Sequence, residues 1–287
     1  MHTAQDQQHV NDNIKETRSG KKTIEVSESA FLSPDYDENC TKRGLAVLVH
    51  NFDQQCADIE KLNVQFSKLM ELLESYEYGF EVFEKDGKQI HKSLSKDDLY
   101  TLCSSVAKEI DNNEYSYYYC LLFVILGHGS SGIIKCKTIT GNTEYAELSK
   151  IMESFQPQNC AALALKPKVF IVQTMEPKDP NQADASGMPD DVNERKQQRI
   201  PRESDFLTYT SDEPCYLSDN KFLNSLVKTL EDEQNTWYTN RGINPIPVTE
   251  IQSLLIKINR KLKETGSKVA YTTSSLTRKM YLQKRTF

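Results

Sequence analysis

Short apolar runs that alternate with stretches of helical periodicity constrain this chain more than any other feature. Leu45 to Val49 is a compact apolar run, after which Ile59, Leu62, Phe66, Leu69 and Leu73 recur at the spacing of one helix face. Phe80 to Phe83 reads as a second strand. Leu94, Leu99, Leu102, Val106 and Ile110 mark a second helix, with Ser95 ahead of Asp97 and Asp98 as its N-terminal cap. Tyr117 to Leu126 has the composition of a strand buried on both faces, so the cluster Tyr115 to Tyr119 at its start reads as sheet packing. Leu148 to Phe155 gives a short helix, and Val169 to Gln173 and Phe206 to Thr210 two more strands. Two amphipathic helices follow, carried by Phe222, Leu223, Leu226, Val227 and Leu230, then by Ile251, Leu254, Leu255, Ile258 and Leu262. Val269 to Thr273 is the last strand. Strands joined through helices predict an α/β domain, a six-stranded, mainly parallel sheet with helices on both faces.

Composition divides the chain. Residues 1–42 are polar, with one apolar island at Ala30 to Leu32, and predict a mostly disordered leader. Residues 43–176 form a larger part and 200–287 a smaller one. Between them, 177–199 holds Pro177, Pro180, Gly187, Pro189 and many charges, the signature of a flexible linker. The apolar runs fall far short of the roughly 18 residues of a membrane span, and Met1 to Val10 lacks a secretory signal pattern. A cytoplasmic protein with no membrane partner is expected. Seven cysteines without a C-x-x-C pair argue for reduced thiols rather than a disulfide framework or zinc site, so no metal or cofactor is expected. A net charge of −6 gives no general attraction to nucleic acid, and the basic stretches Lys257 to Lys263 and Arg278 to Arg285 read as solvated faces.

One motif matches a dinucleotide fingerprint: Gly127, Gly129 and Gly132 fit G-x-G-x-x-G after a strand. The fingerprint needs a helix to begin at once, and the strand-like Ile133-Ile134-Lys135-Cys136-Lys137 follows instead, which argues against a nucleotide. The alternative makes His128 a base at the carboxyl end of a parallel strand, where open α/β sheets place their sites.

Ile125-Leu126-Gly127-His128-Gly129 resembles the S-H-G motif of caspases. Gln173-Thr174-Met175-Glu176-Pro177, with Met175 47 residues after His128, falls where that family carries its Q-A-C-x-G pentapeptide. Arg43 to Val49 with Asn51-Phe52 resembles the first caspase strand, Lys166 to Phe170 the lead-in to the catalytic loop, and Ile200-Pro201 with Ser204 to Leu207 the start of the small subunit. Ser274 to Leu282 resembles the family's closing segment. The resemblance spans nearly all of the chain from Arg43.

That resemblance implies a fold whose chemistry is gone. His128 and Gly129 remain from the dyad region, but Met175 stands where a cysteine would, and a thioether neither ionises nor attacks. Glu176 and Pro177 replace the family's basic and glycine positions. The substrate pocket keeps Gln173, whereas the loop from Phe52 to Ala57 carries no basic residue, and the segment after Tyr216-Leu217-Ser218 runs straight into Asp219 without the expected arginine. The family places its two-fold axis at the final strand, so Val269, Ala270, Tyr271, Thr272 and Thr273 are dimer-interface candidates. The expected partners are an active caspase, raised or lowered in activity within apoptosis-type signalling, or a second copy acting as a scaffold or substrate trap. Inactive homologues of both regulatory kinds are known, including decoys in insects. Asp184 and Asp191 in the linker are possible cleavage points. The competing enzyme reading would use Cys136, Cys160 or Cys215 beside His128, or Thr174 as nucleophile.

Overall fold

The structure, a computed structural model, describes residues 14–16, 22–24, 33–52, 58–114, 116–130, 132–138, 144–175, 204–212, 220–240 and 248–284. The linker 177–199 with Asp184 and Asp191, the loop 53–57, Glu176, Pro177, Cys215, Tyr216 to Ser218 and Asp219 lie outside them. Ahead of the domain, β1 (Ile14–Glu16) and β2 (Lys22–Ile24) pair antiparallel within the stretch expected to lack order. The domain comprises β3 (Lys42–Asn51), α1 (Ile59–Glu74), β4 (Phe80–Val82), β5 (Ile90–Lys92), α2 (Lys96–Asn112) and β6 (Tyr118–Ser130). It continues with β7 (Ile133–Cys136), β8 (Glu144–Glu147), α3 (Leu148–Glu153), β9 (Lys168–Met175), β10 (Phe206–Ser211), α4 (Lys221–Thr239), α5 (Ile251–Glu264) and β11 (Tyr271–Ser274).

Six strands run in the order β11-β10-β9-β6-β3-β4, all parallel except β11, which is antiparallel to β10. The expected six-stranded α/β sheet is therefore present. Three short strands join off this path: β5 pairs with the second half of β3, and β7 and β8 form an antiparallel ribbon off the end of β6.

Alternation along the central strands divides the core in two. Ala46 and Leu48, Leu122, Val124 and Leu126, and Val169 and Ile171 face α1, α4 and α5 through Phe66, Leu226 and Ile258. Leu45, Val47 and Val49, Leu121, Phe123 and Ile125, and Phe170 and Val172 face α2 and α3 through Leu102, Val106 and Ile151. Helices thus cover both faces, as apolar runs without alternation require. Ser95 caps α2, its hydroxyl accepting from Asp98 N at 3.1 Å, as expected.

The leader boundary moves. Residues 33–40 strap the sheet rather than trail from it: Tyr36 is buried, and Tyr36 N donates to Lys279 O while Lys279 N donates to Pro34 O. Arg43 is buried as well. It lies 4.0 Å from the Tyr119 ring centroid, pairs with Glu38 and donates to the carbonyls of Tyr281 and Leu282, binding the strap and the C-terminal segment to the first strand.

His50, on β3, is buried with its ring 5.2 Å from Phe66 and Nε2 3.0 Å from Asn63 Oδ1; the nearby charge is Lys92 on β5. Burial lowers its pKa to about 4, against the Asn63 hydrogen bond and with a small contribution from Lys92. The unfolded chain, with an ordinary histidine near 6.5, therefore binds the extra proton between those values. Stability from neutral His50 is complete above pH 6.5 and is lost as pH falls toward 4. Urea unfolding at pH 7 and pH 5 should show a loss from this group of about 2 kcal/mol, and His50→Gln should remove that part of the pH dependence.

Candidate functional site

The chain winds outward from β3 in both directions, to β4 and β5 on one side and to β6 on the other. The crevice beyond the carboxyl ends of β3 and β6 is thus the switch point where open α/β sheets bind ligands. Three strand ends meet there. Asn51 pairs in register with Gly127, Gly127 with Thr174, and His128 with Met175. His128 and position 175 are thus direct neighbours on adjacent strands, which lie about 4.8 Å apart in a sheet.

Each end is held by a specific contact. The Phe52 ring meets the His128 ring edge-on at 5.1 Å and 89°. Asn51 is buried and staples two loops: its Nδ2 donates to Leu94 O at 3.1 Å and Lys135 O at 2.8 Å, and its Oδ1 accepts from Leu94 N at 2.6 Å. Gly129 has φ +148°, and a Cβ there would fall 1.9 Å from Ile133 O, so only glycine allows β6 to fold back into β7 beside His128. The G-x-G-x-x-G stretch is accordingly a strand-to-strand reversal with no helix behind it.

Gln173 is buried, and its Oε1 accepts from Asn220 Nδ2 at 2.9 Å. Asn220 is also the N-cap of α4, its Oδ1 accepting from Leu223 N at 2.9 Å. One asparagine thus ties the end of β9 to the start of a helix. The capping rule, Asn immediately before an apolar-periodic run, is the sequence signal that could have found it.

Of the alternative nucleophiles, Cys136, Cys160 and Thr174 fall among the described residues, and all three are buried. The Cys136 thiol is buried and pushed up to about 11, chiefly by burial. Cys160 is buried against Ala107 and Asp111, at the carboxyl end of α2 and so beside the amino-terminal ends of the parallel strands, opposite His128. Burial, followed by the Asp111 carboxylate, raises its thiol to about 12, leaving almost none of the reactive thiolate at neutral pH. Thr174 is buried and its hydroxyl has no hydrogen-bond partner among the described residues.

Of the interface candidates, Tyr271, Thr272 and Thr273 lie on β11 and are exposed. Val269 is exposed but precedes the strand. Ala270 is buried, because the Asn259 side chain takes both its backbone groups at 2.9 Å and draws it inward. Among the described residues, no helix is long and apolar enough to cross a membrane, and no group of three or more His, Cys, Asp or Glu could hold a metal ion.

A mainly parallel sheet covered by helices on both faces, with a histidine at the carboxyl end of one strand and Gln173 near the end of its neighbour, defines an α/β architecture with a strand-end site. The chain belongs to the caspase family: the family model described as Caspase domain matches residues 43–281. It is 26% identical over 272 residues to caspase-3 of Mus musculus, covering 91% of this chain and 86% of that protein. It is 27% identical over 257 residues to caspase-3 of Mesocricetus auratus, covering 84% of this chain and 81% of that protein. Among solved structures it is similar to caspase-1 from Spodoptera frugiperda, with a TM-score of 0.59 and 22% identity over 88% of this chain and 94% of that one, a likeness of fold.

Replacing Asn220 with alanine removes a helix cap and one hydrogen bond to the buried Gln173 amide. Asn220→Ala should cost about 1–3 kcal/mol in urea unfolding, against a few tenths for alanine at the exposed Asn224 one turn on.

Proposed function

We propose that this chain is a catalytically inactive caspase homologue that regulates an active caspase by pairing with it along β11, in apoptosis-type signalling within the cytoplasm. The observation that carries the reading is the register neighbour of His128, which is methionine. Cysteine-protease chemistry needs a thiolate at hydrogen-bond reach of the histidine, and a thioether has no proton to give up and no charge to develop. Loss of a nucleophile lowers kcat on the order of 10⁶-fold in a triad protease.

Two further observations support it. Gln173, the remaining pocket residue, has its amide oxygen bound by Asn220, and neither arginine that would neutralise a substrate aspartate is present at its expected place in the sequence. At the edge of the sheet, β11 carries Tyr-Thr-Thr-Ser, with no charge, proline or bulge to discourage pairing. An edge of this kind accepts an antiparallel strand, and a homologue of the same shape presents one about a two-fold axis.

The test is a titration of the purified chain into a limiting amount of an active caspase from the same source, following cleavage of an Asp-containing fluorogenic peptide. The chain alone should show no turnover and no adduct with an electrophilic Asp-containing probe, while the caspase rate changes saturably with added chain. A rise identifies an activator and a fall an inhibitor. An unchanged rate at every ratio removes the regulatory reading, and turnover by the chain alone removes the inactive one.

A further inference from the structure

β11 has little of its own to hold it. It is four residues long, pairs only with β10 among the described residues, and all four of its residues are exposed. Burial of apolar area, which fixes the central strands, contributes almost nothing here.

Side-chain hydrogen bonds close both of its ends instead. At the amino end, Ala270 N donates to Asn259 Oδ1 and Asn259 Nδ2 donates to Ala270 O, each at 2.9 Å. Tyr209 on β10 donates to the same Asn259 Oδ1 at 2.8 Å, so the clamp is fixed to the neighbouring strand. At the carboxyl end the ladder runs on through Ser275, whose N donates to Phe206 O at 2.7 Å and whose O accepts from Asp205 N at 2.9 Å. It then stops at Asp205, a carboxylate 1% exposed. Asp205 accepts from Tyr36 Oη at 2.6 Å, Thr277 Oγ1 at 2.7 Å and Ser204 Oγ at 2.8 Å. Thr277 N donates to Tyr36 Oη at 3.1 Å, so one tyrosine hydroxyl bridges the carboxylate and the chain leaving β11.

Asp205 itself stands at φ +76°, an unfavourable region for any residue with a Cβ, and its three hydroxyl partners hold it there. Burial and the Asp205 charge both push the Tyr36 hydroxyl well above the usual phenol range, so it remains a donor throughout the pH range of a folded protein. The ring is packed in place by the Arg278 guanidinium, 5.5 Å from its centroid.

We infer that Tyr36 is a positioning residue for the exposed edge: with Asn259 at the other end, it clamps β11 in the extended form that an incoming strand requires. The clamp puts the segment preceding the domain in control of the edge used for association. Preorganisation of this kind lowers the ordering cost of binding without adding a contact to the partner. The consequence for association rests on the reading of β11 as the pairing edge; the clamp itself does not.

The experiment is hydrogen exchange on the full chain and on Tyr36→Phe, which keeps the ring and its Arg278 contact and removes only the hydroxyl. Amides of Tyr271 to Ser274 should exchange about fivefold to tenfold faster, with those of β3 and β6 unchanged, because one lost hydrogen bond acts on a local opening. Thr277→Val, which removes the second hydroxyl, should do the same. The effect of the chain on the caspase should need a correspondingly higher concentration. Unchanged exchange in β11, or equal acceleration throughout the sheet, would overturn the inference. Faster exchange in β11 with no association even by the unaltered chain would leave the clamp standing and remove the pairing reading.

Discussion

The register of the three central parallel strands is the constraint on which everything else rests. Strands β3, β6 and β9 are buried on both faces, and their side chains alternate between a core under α1, α4 and α5 and a core under α2 and α3. A slip of one residue would exchange the two sets, sending Leu122, Val124 and Leu126 to the face that Leu121, Phe123 and Ile125 fill. With side chains of different volume on the two sides, that exchange leaves voids on one face and overlaps on the other. The neighbourhood of His128 and position 175 is therefore set by packing at residues several turns of pleat away, and it persists whatever residue occupies 175. The strand-end geometry is thus a property of the fold and does not depend on the chemistry of the side chain at 175.

Away from these strands, order comes from polar contacts rather than burial. Asn51, Asn220 and Asn259 do parallel work at three places: each uses a side-chain amide as both donor and acceptor to bind backbone or a second amide. Asparagine suits this because one short side chain carries both polarities and loses little rotamer entropy when fixed. Arg43 and Asp205 extend the pattern with charge, gathering the strap and the C-terminal segment onto the amino-terminal ends of the strands and the edge.

Much of this was legible in the sequence, for physical reasons that differ by element. Helices α1, α2, α4 and α5 are amphipathic, so periodicity located them, and Ser95 marked the start of α2 by its chemistry. The buried strands were visible as apolar runs, but their carboxyl ends were not: β6 extends through His128 to Ser130, where polar residues and glycines replace the apolar pattern. The site lies where periodicity stops, and only the order of the motifs located it. β5, β8 and the strap were missed because three or four residues paired by backbone alone leave no hydrophobic signature. Tyr36 was hidden for a related reason, since a lone tyrosine in a polar stretch gives no period, and its partner Asp205 is far away in sequence. Ala270 was read as strand surface because nothing local shows that Asn259, eleven residues earlier, turns it inward.

On the proposed reading of an inactive homologue, one substitution would not be enough to supply the chemistry. A cysteine at 175 would restore a thiol beside His128, yet the thiolate is only one requirement. Catalysis also needs backbone N–H groups aimed at the oxyanion, and Pro177 supplies none. Substrate capture needs cations around the aspartate side chain, whereas Gln173 is tied to Asn220 and Glu176 brings a negative charge. These positions belong to different segments and different kinds of interaction, so no single substitution couples them. The residues that hold the sheet register and the edge strand form a set apart from those at the strand-end site, so the fold places few demands on what occupies the site.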